Sequence, residues 1–368
     1  MGVNPLQKPT NDSGAFLGPV FNFFGCRHIS MRMTFSVAAG FRMSTHPCFL
    51  PSTLGERKEF VLLFVGKNSP FAPLLLGYID QAVLIDTHSH LDFPDFDADR
   101  ENVILRAMEA GVTRIISIGT NLQTSRAAIS LAESHPDIYA TVGLHPCEVE
   151  EASDSTCDEL EKLAQHPKVV ALGECGLDYH RLPSQSLPSF DSTSVATGGT
   201  APGSEDHLLA DAEIKNRQAI FFQEQLDLAV RLKLNMVIHQ RDSWEDTLAT
   251  LKPYSGRLRC VFHCFSGTPD QARQLFELGH SISFTGIATF KNARNLHESI
   301  RQTPAGSFFL ETDCPYLAPE PYRGKRCEPA YTRLVAEKVA ALRGNTFEEI
   351  ARETTSAAEK FFRFTTLS

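Results

Sequence analysis

Five short apolar runs in this chain each lead into a side chain of metal-binding type, and none alternates polar with apolar residues. Val83-Leu84-Ile85-Asp86 leads to His88 and His90, residues 168–173 to Glu174, and residues 235–238 to His239. Residues 259–262 lead to His263, and residues 307–310 run through Glu311 and Thr312 to Asp313. An apolar run without alternation predicts a strand buried on both faces, the kind that builds parallel sheets. Ligand-type side chains recurring at the C-terminal ends of such strands predict a (β/α)8 TIM barrel of the α/β class, with its site on that rim.

The sequence between the runs carries helical patterns. Residues 99–111 read as a helix with Val103, Leu105, Ala107 and Met108 inward and Gly111 ending it. Strands are expected at 114–119 and 138–143, with helices over 122–134 and 157–164. Residues 219–233 space Phe222, Leu226, Ala229 and Val230 along one face of an amphipathic helix. Glu174, His239 and His263 close strands four, five and six; residues 280–284 and 308–310 supply strands seven and eight. Eight strands separated by helices is the barrel count.

A chain of 368 residues is long enough for one large barrel. Its net charge of −9 argues against a non-specific nucleic-acid coat protein, which would be basic. An enzyme that grips a few phosphates locally stays compatible with that charge. Residues 1–82 stand apart, holding ten of the 26 Phe and four of the six Met without a sustained period. We read 1–82 as an N-terminal extension, poorly ordered or misassigned upstream of the true start, and 83–368 as the barrel domain. The apolar stretches at 60–65 and 71–76 are too short to span a bilayer. Residues 182–215, rich in Ser, Pro, Gly and Thr, read as a flexible insertion after strand four, either a surface loop or a lid. The nine cysteines form no CxxC pair; Cys147, Cys175, Cys264 and Cys314 read as small packing residues that point away from the site. Reduced thiols imply a cytoplasmic setting. A monomer is the default expectation.

His88 and His90 are two residues apart, so on an extended tip both imidazoles reach one cation. A lone His-x-His is a weak signal, because loop histidines commonly satisfy ordinary hydrogen bonds. Adding Glu174, His239, His263 and Asp313 from other strand ends makes it far more specific. Four imidazoles and two carboxylates, with no thiolate, suit zinc, manganese or another divalent first-row ion; magnesium alone would favour more oxygen ligands. The set is large enough for two divalent metal ions, with Glu174 between them, His88 and His90 on one and His239 and His263 on the other. Asp313 is expected as a ligand and as the acceptor for a proton of an activated water. Two cations about 3.5–4 Å apart can clamp both oxygens of an in-line displacement.

Beyond these positions, whole motifs are legible: Ile85-Asp-Thr-His-Ser-His-Leu91, Gly143-Leu-His-Pro146, Gly173-Glu-Cys-Gly-Leu-Asp-Tyr179, Ile238-His-Gln-Arg241, Phe262-His-Cys-Phe-Ser-Gly267, Glu311-Thr-Asp-Cys-Pro-Tyr-Leu-Ala-Pro319 and Tyr322-Arg-Gly-Lys-Arg-Cys-Glu-Pro329. Together, over about residues 83–362, they resemble the TatD family of metal-dependent deoxyribonucleases. The resemblance implies a TIM barrel, the six ligands named above, and hydrolysis of DNA phosphodiesters, with DNA as the partner molecule. Glu174 and Asp313 would carry the catalysis. His145 either donates to a substrate phosphate or braces its loop beside Pro146. Arg241, two residues past His239, reads as a phosphate clamp. Asp178 and Tyr179 either position the site or turn the chain, and Lys291, Arg323, Lys325 and Arg326 are either substrate contacts or a solvated rim. Cys327 stands where relatives commonly carry Asn, which weakens any case for an amide contact there.

Fold and ligands alone do not separate a nuclease from a hydrolase of a small phosphoester, lactone or amide. A non-catalytic binding module ranks last, since no ligand position is missing.

Overall fold

Every apolar run expected to be a strand is one. The computed structural model describes residues 82–185 and 205–364, all within the unit Ala82–Ser368. The expectations placed on residues 1–81 and 186–204 fall outside the described residues. The strands are β1 (Leu84–Ser89), β2 (Val112–Ile118), β3 (Ile138–Val142), β4 (Val169–Asp178), β5 (Asn235–Arg241), β6 (Cys260–Phe262), β7 (Ser281–Phe284) and β8 (Phe308–Leu310). They pair in chain order, each with the next and always parallel. The seam between β8 and β1 is closed at the rim. There the His90 N–H donates to the Cys314 carbonyl at 2.8 Å and the Asp313 N–H to the His88 carbonyl at 2.9 Å. The backbone that completes the barrel therefore also carries three of the expected ligands.

The connecting helices are α1 (Arg100–Glu109), α2 (Leu122–Ser134), α3 (Thr156–Leu163), α4 (Glu205–Leu232), α5 (Trp244–Leu251), α6 (Pro269–Glu277) and α7 (Arg294–Gln302). Two more, α8 (Thr332–Arg343) and α9 (Phe347–Phe362), follow β8. Asn121, Thr268 and Thr346 form capping boxes at the starts of α2, α6 and α9, each accepting from the third helical N–H.

The core has two layers because each strand is apolar on both faces. Leu84, Ile115, Leu172, Met236 and Phe262 pack outward against residues such as Val103, Leu226, Leu275 and Val339. Ile85, Ile116, Val170, Val237, Val261 and Phe309 form an inner cluster with Phe361 and Phe362 of α9. That helix is pinned to the starts of the strands: Thr355 donates to the Val83 carbonyl, and Asn235 donates to the Phe361 carbonyl. The period of two then lifts the inner face to the opposite end, from Val237 to His239, from Val261 to His263, and from Phe309 through Glu311 to Asp313.

Three expectations need correction. Leu105 and Met108 of α1 are exposed at 58% and 38%, while Val103, Ile104 and Ala107 are buried. Position 105 lies about 200° around the helix from Val103, so both cannot share one stripe. Glu174 and His239 do not close their strands; β4 continues to Asp178 and pairs with β5 as far as Arg241. Finally, residues 205–215 are helical, not part of a flexible insertion, since α4 begins at Glu205. Within that stretch Asp211 is anchored by the Ser184 backbone N–H at 3.0 Å and its hydroxyl at 2.6 Å.

Candidate metal centre

His88 and Glu174 reach the interior because their strands are bulged. Three residue steps along β1, from Asp86 to Ser89, match two along β2, and three along β4, from Leu172 to Cys175, match two along β5. An extra residue shifts the phase of a strand and re-aims its side chains. At the β4 bulge Gly173 has φ of 123°, and a Cβ there would sit 2.4 Å from the Val237 carbonyl oxygen. Only glycine fits that combination.

The six expected ligands converge. Oε2 of Glu174 faces His88 Nε2 at 3.4 Å and His90 Nε2 at 4.0 Å. Oε1 faces the other pair, His263 Nε2 at 2.7 Å and His239 Nδ1 at 2.8 Å. Asp313 Oδ1 lies 3.5 Å from His88 Nε2 and 3.4 Å from His90 Nε2. One carboxylate thus turns each of its oxygens to a different histidine pair. His145 also enters the cluster, with Nε2 3.6 Å from Glu174 Oε1, while its Nδ1 accepts from the Cys147 N–H at 3.0 Å. That bond fixes the tautomer of the neutral ring, leaving the proton on Nε2 and pointing it into the site.

The surroundings are polarised and largely buried. Burial opposes ionising Glu174, but His263, His145 and His88 overcome it and hold its carboxyl well below the usual range. Burial also works against charge on His263, yet the adjacent Glu174 pushes the imidazole up to about 10. His88 stacks on His263 with centroids 4.1 Å apart, and burial together with that neighbour lowers its pKa. Burial lowers His145 to about 3. Both ring nitrogens of His88, Nδ1 of His90 and Nδ1 of His263 are buried without a hydrogen-bond partner. His88 Nε2, orphaned between Glu174 Oε2 and Asp313 Oδ1 in a buried site, fits a divalent cation, which would take a lone pair that no described group accepts.

Sequence reasoning left three positioning residues without a firm role. Asp178 Oδ2 lies 3.1 Å from His239 Nε2. Glu311, buried at 1% exposure, accepts from the Cys264 N–H at 2.6 Å and lies 3.8 Å from His263 Nδ1. Asp86 accepts from the Thr312 hydroxyl at 2.6 Å and from the Thr312 and His88 N–H groups, tying β1 to the segment that carries Asp313. Desolvation pushes its carboxyl up to about 8. An acid inside an otherwise apolar run, as at Asp86 and Glu311, was the available signal. Carboxylates that orient ligating imidazoles tune the metal from outside its ligand set.

Of the other expected positions, Arg241 is exposed and lines a cavity beside His263. Arg326 is engaged with Asp99 at 2.8 Å, a structural rim contact. Arg323 lies 4.4 Å over the Phe290 ring, and Lys325 5.9 Å over Tyr322. Cys175, Cys314 and Cys327 are buried packing residues. Cys147 departs from the expectation, since its thiol faces Asp178 Oδ2 at 3.8 Å.

Known proteins are similar to this chain in sequence and fold. The family model for TatD related DNase matches residues 85–363. A Bacillus subtilis protein named uncharacterized metal-dependent hydrolase YabD is 36% identical over 282 residues, covering 76% of this chain and 99% of its own length. An Erwinia tasmaniensis protein named 3'-5' ssDNA/RNA exonuclease TatD is 35% identical, with 76% and 99% coverage. The crystal structure of YjjV, a TatD homologue from Escherichia coli K12, superposes with a TM-score of 0.65 at 30% identity, covering 77% of this chain and 98% of that one. With the match spanning the whole barrel and both relatives nearly end to end, this chain belongs to the TatD related DNase family.

Proposed function

We propose that this TatD-family metal-dependent hydrolase cleaves DNA phosphodiester bonds, using two divalent cations held by His88, His90, Glu174, His239, His263 and Asp313. The observation that carries the reading is the split of Glu174, one oxygen toward His88 and His90 and the other toward His239 and His263. Imidazole and carboxylate donors suit zinc or manganese, with magnesium next. When bound, such cations act as Lewis acids that make water nucleophilic at neutral pH and neutralise charge on a phosphoryl group. Asp313 borders the His88–His90 half of the site and accepts the proton of the attacking water. Glu174 keeps the two halves in register. His145 presents its Nε2 proton to a phosphate oxygen, and Arg241 clamps the same group from the exposed wall. Support for a nucleic-acid substrate comes from the relative named as a 3'-5' ssDNA/RNA exonuclease.

All six ligand side chains come from one chain, and we take the enzyme to act as a monomer. No helix among the described residues is long and apolar enough to cross a membrane. The cysteines of the described residues are free thiols, which fits a reducing cytoplasm.

A second reading, hydrolysis of a small phosphoester, lactone or amide, is favoured by the net charge of −9. Labelled single- and double-stranded DNA with added divalent metal separates the two. The nuclease reading expects product release by the wild type and none by Glu174→Ala. Cleavage unchanged in that variant, or no cleavage by the wild type, would overturn it.

A further inference from the structure

Beside the ligand cluster lies a cavity of about 600 Å3, walled by segments that follow β4, β5 and β6. His263 forms one side; Tyr179, Lys215, Arg241, Trp244 and Phe265 line others. Its charges are unevenly matched. Asp246 accepts from the Tyr179 hydroxyl at 2.8 Å, and Asp242 faces His180 Nδ1 at 2.8 Å. The Lys215 ammonium lies 4.5 Å over the Tyr179 ring. Neither Lys215 nor Arg241 has a carboxylate partner among the described residues, and Glu245 is the acid of the wall left unpaired there. Two cations without a carboxylate partner among the described residues therefore share a pocket with a candidate metal ligand and an aromatic side.

We propose that this cavity is the subsite for the nucleotide unit adjoining the cleaved bond, with Lys215 and Arg241 holding its phosphate and Trp244 stacking on its base. The assignment rests on the nuclease reading and names where the substrate lies. The volume falls in the range of small-ligand sites, so it admits one nucleotide unit. A guanidinium and an ammonium lining one cavity suit an anion, because each forms charge-assisted hydrogen bonds. Aromatic faces bind bases with little regard to identity. Lys215 enters from α4, within the stretch that the helix expected at 219–233 left out, so the early start of that helix bears directly on the pocket.

Trp244 is the sole tryptophan of the chain, so the pocket carries its own reporter. Titrating the metal-loaded enzyme with thymidine 5′-monophosphate should quench tryptophan emission saturably. Thymidine, which lacks the anion, should bind at least about tenfold more weakly. Lys215→Ala and Arg241→Ala should each raise the nucleotide dissociation constant by about tenfold. Lys215→Arg and Arg241→Lys should recover most of that loss, which general damage to the fold would not. Absence of quenching, equal affinity for thymidine, or unchanged affinity in both alanine variants would overturn the subsite. Binding is read without turnover. Quenching by an enzyme that releases nothing from DNA would keep the pocket as a nucleotide site and remove the nuclease reading. DNA cleavage without quenching would remove the subsite alone.

Discussion

The two ends of the barrel are built from the same eight strands and solve opposite problems. Toward the starts of the strands, Phe309, Val237 and Val261 meet Phe361 and Phe362 of α9 in an apolar cluster. Two residues further along β5, and the same distance beyond Val261, the inner face turns to the partly buried imidazoles of His239 and His263. The lower end gains from removing apolar area from water. The upper end buries groups that cost free energy to desolvate, and leaves four imidazole nitrogens without partners. Stability is concentrated at one end so that the other can hold an arrangement that only a cation completes.

That contrast can be broken most sharply at Glu174. Glu174→Ala should lower kcat by about a thousandfold or more, because it removes the group shared by both halves of the site. Asp313→Asn should do likewise, and circular dichroism should report a native fold in both. Near-normal turnover by Asp313→Asn would refute its assigned role. Phe361→Ala reverses the pattern. It should cost about 3–5 kcal/mol of stability in a denaturant titration while leaving kcat per folded molecule nearly intact. If Phe361→Ala abolished catalysis in folded protein, the two ends would not be separable.

Gly173→Ala sits between these limits. Its Cβ would meet the Val237 carbonyl at 2.4 Å in a conformation with φ of 123°. We expect a strain cost of roughly 1–3 kcal/mol and a fall in kcat of about a hundredfold, as Glu174 is pushed from register. A variant with lowered stability and unaltered turnover would show that the bulge supports the sheet and not the site.

The smallest effect concerns protons. Glu174 raises His263 to about 10 against the opposing influence of burial, and Asp313 raises His90 in the same sense. His263 therefore holds a proton at neutral pH in the cation-free chain, and ligation requires the neutral ring. Cation uptake should release at least one proton, so apparent affinity should rise with pH below about 10. Calorimetry in buffers of different ionisation enthalpy measures that release; a heat independent of buffer would contradict it.

Much of this was legible beforehand because burial on both faces removes alternation from strands, and the ligands interrupt that monotony at fixed places. His239 and His263 follow Val237 and Val261 by two, so period alone carries them inward. The bulges were not legible: His88 and Glu174 reach the centre through extra residues in β1 and β4, a matter of pairing with neighbours distant in sequence. Asp86 and Glu311 stood inside motifs already noted, but their roles depend on contacts with Thr312 and Cys264 that spacing cannot reveal. Leu105 and Met108 were assigned inward from hydrophobicity without the helical angle. Averaging composition over 182–215 concealed that its last residues, Ala-, Leu- and Glu-bearing, extend α4, with Asp211 fastening it to Ser184.

The most direct test is the metal content of the purified chain after loading with zinc or manganese and removal of excess, measured for the wild type and Glu174→Ala. A paired centre organised by Glu174 predicts about two ions per wild-type chain and a loss of at least one in the variant. A wild type that retains no ion, or a variant that retains both, would contradict the account.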